Sequence, residues 1–95
     1  MLTRVKYQLR PAVRMHWASW NDEYVVFDET SGQTHQLDAV RAFVLDFLGE
    51  SPSDLFNIAA ELTKSLAISS SYASELIALI IQEFQTIGLV EADNS

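Results

Sequence analysis

The hydrophobic pattern changes period once, at Asp38, and that change limits the folds open to this chain. Upstream, from Val13 to Leu37, aromatic and β-branched residues are broken at short intervals by turn residues, which is the texture of short strands. Arg14–Trp20 alternates in its middle part, and Asn21-Asp22 follows as a two-residue turn able to take positive φ at low cost. Glu23–Asp28 reads as the return strand, Thr30-Ser31-Gly32 as a second turn, and Gln33–Leu37 as a third strand. Downstream, apolar residues recur at three- and four-residue steps. Asp38 is placed to cap a first helix with the stripe Val40, Phe43, Val44, Phe47 and Leu48, ended by Gly49. Ser53 is placed to cap a second, with Leu55, Ile58, Ala59, Leu62 and Leu66 on one face. The serines at 69–71 break the period, a third helix runs from about Tyr72 to Ile87, and Gly88 terminates it. The pattern predicts an α+β domain, a three-stranded antiparallel sheet followed by three helices packed on one side of it.

Ninety-five residues suffice for one modest core, and no repeat or linker divides them. There is no cysteine, which excludes a disulfide scaffold, a thiolate metal site and a thiol nucleophile. The longest apolar run, Leu76 to Ile81, is far short of the roughly 20 residues a membrane span needs. The start of the chain lacks the apolar centre of a signal peptide, so the expectation is a soluble cytoplasmic protein with no membrane partner.

Charge separates the two ends of the chain. Thirteen acidic against six basic residues give a net charge of −7, a poor match to nucleic acid. Arg4, Lys6, Arg10 and Arg14 all precede the first acidic residue, Asp22. Residues 1–12 therefore read as a basic arm on an acidic body, serving either to dock on an acidic partner or as a solubilising segment lying on the protein's own surface. Residues 13–92 read as the folded domain, and 93–95 as a polar tail.

A search for chemistry yields little. His16 and His35 are the only histidines, and neither has a second ligand at a metal-binding spacing. The serines cluster at helix starts and loops, where capping explains them. Gly32, Gly49 and Gly88 are isolated and build no phosphate loop. Asp22-Glu23 and Asp28-Glu29 sit at hairpin ends, where solvated turn residues are expected. The reading is a non-catalytic binding protein without metal or cofactor.

The third helix carries more apolar surface than a core requires. Ile77, Ile80, Ile81, Phe84 and Ile87 form one stripe about 120° wide, enough to face a core. Tyr72, Leu76 and Leu79, with Glu83, form a second flank, which either packs on another helix or walls a groove. Trp17, Trp20, Tyr24 and Phe27 concentrate aromatic mass on the first hairpin. Trp17 and Trp20 point to opposite faces of a regular strand, and at least one is expected in the core.

Taken in order, Trp20–Asp28, Thr30–Asp38, the helix Ala39–Leu48 and the closing Ile87-Gly-Leu-Val-Glu91 resemble the PqqD family of peptide chaperones. These are recognition elements of pathways that modify ribosomally synthesised peptides. The branch most similar in feel stands beside kinase-like proteins related to the HPr kinase. The resemblance spans roughly residues 13–92 and implies a winged-helix-like fold. It further implies that a precursor's leader peptide adds as a strand to Gln33, Thr34, His35, Gln36 and Leu37 and lies against Tyr72, Leu76, Leu79 and Glu83. A modifying enzyme of the same pathway, of the HPr-kinase-related kind, is the second implied partner. The open edge also offers self-pairing into a homodimer. Two rivals use the same elements: an adaptor subunit docking a folded protein, and a winged-helix DNA-binding regulator, which the lack of any basic residue on the third helix disfavours.

Overall fold

In the computed structural model, which describes residues 5–10, 14–21 and 23–93, the elements run β1 (Lys6–Leu9), β2 (Met15–Trp20), β3 (Glu23–Asp28), β4 (Gln33–Leu37), α1 (Ala39–Glu50), β5 (Ser53–Asp54), α2 (Leu55–Leu66), α3 (Ser70–Thr86) and β6 (Val90–Asp93). The expected meander is present as an antiparallel sheet in the order β2-β3-β4. Asn21 takes φ 52 in the first turn, and its expected partner, Asp22, lies outside the described residues. In the second turn the Asp28 carboxylate accepts from the Thr30 amide and the Ser31 hydroxyl, both at 2.9 Å. Burial pushes the Asp28 carboxyl up, but these donors outweigh it and hold the group below its ordinary value. Gly32 closes the turn at φ 77. A Cβ there would meet nothing within 4 Å, so the requirement for glycine is conformational, not steric.

A second sheet, ordered β5-β1-β6, was not anticipated. The segment read as a basic arm supplies its central strand. Lys6 pairs with both Asp54 and Asp93, and Leu9 with Val90. Tyr7 and Leu9 pack against the core. The period-2 signal of four residues with two polar members, Lys6 and Gln8, is too short to stand out from a charged terminus. The polar tail is likewise bound in at Asp93, while Asn94 and Ser95 lie outside the described residues.

The helix boundaries follow their capping chemistry, with three corrections. Asp38 caps α1 as expected, its carboxylate accepting the Arg41 amide at 2.8 Å. Gly49 does not end α1, which continues to Glu50. The cap of α2 is Asp54, bonded to the Asn57 amide at 2.7 Å, and not Ser53, which belongs to β5. The helix α3 begins at Ser70, two residues ahead of Tyr72, because serines are good N-terminal residues as well as loop residues. Its end matches the expectation: Gly88 takes φ 83, and the Leu89 amide returns to the Phe84 carbonyl at 2.9 Å.

The core gathers Val26 and Leu37 from the first sheet, Val44, Leu45 and Leu48 from α1, Ile58 and Leu62 from α2, Ile77, Ile80 and Phe84 from α3, and Leu89 and Val90 beyond it. Burying each large side chain is worth about 1.5–3 kcal/mol. Three expected core positions fall outside it. Leu66 and Ile87 are exposed, each at the end of its helix. Neither hairpin tryptophan is core, since Trp17 is 40% and Trp20 55% exposed. The register accounts for this: Trp17 stands opposite Val26 on the inner face and Trp20 opposite Glu23 on the outer. The helix α1 packs on β3 and β4, so β2 overhangs it. Among the described residues no helix is long and apolar enough to cross a membrane.

Candidate functional site

The strand β4 has β3 on one side and, among the described residues, no strand on the other. Alternation divides its side chains between two faces. Gln33, His35 and Leu37 stand opposite Asp28, Val26 and Tyr24, with buried Val26 marking the inner face. Thr34 and Gln36 stand opposite Phe27 and Val25 on the outer face. Leu37 is only 5% exposed, so its side chain serves the core and just its backbone is available at the edge. His35 is partly buried, and its Nε2 is buried with no hydrogen-bond partner. An unmet buried nitrogen of this kind costs about 1–3 kcal/mol, and it sits in the middle of the open strand.

The second flank of α3 is a surface. Tyr72 is 57% exposed and Leu79 50%, while Leu76 is partly buried against the core. The core stripe of the same helix, from Ala73 through Ile77, Ile80 and Ile81 to Phe84, is buried. Leu79, Gln82, Glu83, Thr86 and Ile87 line a hollow of about 340 Å³, room for one large side chain. Gln82, Thr86 and Ile87 were not anticipated here. Ile87, expected in the core stripe, is the C-cap residue of α3 and is 43% exposed.

One ionic cluster joins strand to helix. Arg41, in the first turn of α1, donates from Nε and Nη2 to the two oxygens of Glu83 at 2.8 and 2.9 Å, and from Nη1 to Asp38 at 2.7 Å. Asp38 directly follows β4, so the cluster fixes the end of that strand against the C-terminal end of the α3 flank. The Arg41 hydrogen bonds hold the Glu83 carboxyl below its ordinary value, and the Glu83 bond leads the contributions that push the guanidinium up. Glu83 is thus anchored by Arg41 while it still lines the hollow. Asp38 and Arg41 are visible in the sequence as an i, i+3 pair. The partner 42 residues away is not.

The arrangement offers unpaired backbone groups beside an apolar wall with one hollow. His16 pairs with Glu29 at 3.0 Å on the exposed hairpin, and among the described residues no three metal-ligating side chains converge.

No family model matches the chain, and no curated protein matches it. Two solved structures do. The first, a lasso peptide synthetase B1 complexed with the leader peptide, superposes with a TM-score of 0.69 at 22% identity, covering 90% of this chain and 96% of that one. The second, TbiB1 in complex with the TbiA(beta) leader peptide, gives 0.71 at 19% identity, covering 88% and 94%. The chain thus shares, over nearly its whole length, the fold of two proteins that were solved with a leader peptide.

Proposed function

We propose that this protein is a non-catalytic recognition element that binds the leader of a ribosomally synthesised precursor peptide and presents it to modifying enzymes. The observation that carries the reading is the open β4 edge, joined by the Asp38–Arg41–Glu83 cluster to an exposed apolar flank of α3, in a fold shared with two leader-peptide complexes. The leader adds to β4 as a strand, and its apolar side chains rest on Tyr72, Leu76 and Leu79. Strand addition satisfies the edge largely regardless of peptide sequence, while the helix wall selects side chains. Some four new backbone bonds at about 1 kcal/mol each fall short of the roughly −8 kcal/mol of micromolar binding. The apolar wall supplies the difference. The PqqD-like order of motifs supports the same reading and points to a cytoplasmic pathway whose chemistry belongs to partner enzymes.

The test is calorimetric titration of the protein with the precursor peptide encoded beside its gene, using full-length precursor, leader alone and core alone. Equal affinity for precursor and leader, with none for the core, is the expected result. Binding that depends on the core, or no binding, would overturn the proposal.

A further inference from the structure

The other edge of the first sheet has a different chemistry. Among the described residues the strand β2 is paired only with β3. Between it and the helices lies a cleft of about 440 Å³, lined chiefly by Trp17, Tyr24, Ala42, Phe43, Asp46 and Leu66. Trp17 and Leu66 are two of the large apolar side chains that the core leaves exposed, and both line this one space. Asp46 is the single charged group of the lining among the described residues. It is exposed, and it makes no ion pair or hydrogen bond with any described residue.

Three aromatic rings and one unpaired carboxylate around a cleft of side-chain size make a cation site. The ring faces carry negative potential and the carboxylate a full charge, so a guanidinium stacks where a neutral group gains only burial. The unpaired β2 backbone beside the cleft offers hydrogen bonds at strand spacing, which a free small molecule cannot use and an extended polypeptide can. We propose that the β2 edge docks a basic, extended segment of a partner protein, with one arginine side chain seated among Trp17, Tyr24 and Phe43 against Asp46. The net charge of −7 steers such a segment to the domain. The site lies on the opposite edge from β4, so it stands independently of leader binding and leaves both edges free to be filled together.

The experiment is an NMR titration of the isotope-labelled full chain with a short strand-forming peptide containing one arginine, beside the same peptide with citrulline, its uncharged isostere. The arginine peptide should shift the Trp17 indole and the Asp46 and Phe43 amides, with the citrulline peptide about tenfold weaker, the loss of a charge-assisted contact. Asp46→Asn should weaken the arginine peptide by a similar factor at an unchanged thermal midpoint, and Leu79→Asp should leave this binding intact. Equal binding of the two peptides, an unaffected Asp46→Asn variant, or no shift at the cleft would each overturn the proposal. So would cleft shifts that depend on protein concentration without peptide, which would identify a second copy of the chain as the occupant.

Discussion

Arg41 holds Glu83 through both carboxylate oxygens, at 2.8 and 2.9 Å, and so clamps the start of α1 to α3. Its own side chain is 27% exposed and that of Glu83 42%, so solvent screens the pair and its worth is modest. Arg41→Met and Glu83→Gln should each lower stability by about 0.5–1 kcal/mol, and the double variant by little more than either alone. Urea unfolding of the four proteins measures the coupling. Strict additivity would show that the clamp contributes nothing to the fold.

The same pair sets a pH dependence. The Glu83 carboxyl titrates below the ordinary glutamate value of 4.5. A depressed carboxyl stabilises the fold above its unfolded value, and the contribution fades as pH falls through the folded one. Asp28 is shifted in the same direction and acts with the same sign. Thermal midpoints should therefore be level above about pH 5 and decline toward pH 3, with a shallower decline in Arg41→Met. Identical slopes for wild type and variant would remove Glu83 from the account.

Proline replacements along β4 separate the edge from the ladder. Each removes one amide N–H, and successive N–H groups point to opposite sides of the strand. Among Thr34→Pro, His35→Pro and Gln36→Pro, one parity should unfold the sheet and the other should spare it while weakening the leader by about tenfold. Circular dichroism and the peptide titration read the two effects. Variants that all fold and all bind normally would place the peptide elsewhere.

Leu79→Asp tests the helix wall against its own core stripe. Leu79 is half exposed, so the new charge is solvated in the free protein and becomes costly only under a bound peptide. Neighbouring Ile80 is fully buried, and Ile80→Asp should unfold the domain. The expected pattern for Leu79→Asp is an unchanged thermal midpoint with leader affinity down tenfold or more, on the order of 1.4 kcal/mol.

Removing residues 1–9 deletes β1, the central strand of the second sheet, and uncovers the faces of α1 and β6 that Leu9 and Tyr7 cover. Cooperative thermal unfolding should shift down by several degrees, about what 1–2 kcal/mol produces in a domain of this size. An unshifted transition would return this segment to the role of a dispensable arm.

What could be read from the chain follows from how far apart the interacting residues lie. The meander was legible because its turns announce themselves in Asn21 and Thr30-Ser31-Gly32, and the helices because the same helical period returns in each of three segments. The candidate site was legible in its parts, the strand Gln33–Leu37 and the flank through Leu79. Its assembly was not, because Arg41 and Glu83 belong to different periodic segments and pairing leaves no local trace. The second sheet escaped for the same reason. Ser53-Asp54 is two residues long and reads as a cap, and Lys6–Leu9 becomes a strand only beside Val90–Asp93.

That second sheet also orders the folding of the chain. The meander and the α2–α3 pair are built from neighbours in sequence, and such contacts form early at little cost in loop closure. The strands β1 and β6 meet across almost the whole polypeptide, with Gln8 reaching Glu91 over 83 residues. Their seam closes after the elements it ties together have packed. The β4 edge and α3 flank should thus form before β1 and β6 are joined, and amide exchange should find β1 and β6 opening at lower free energy than β3.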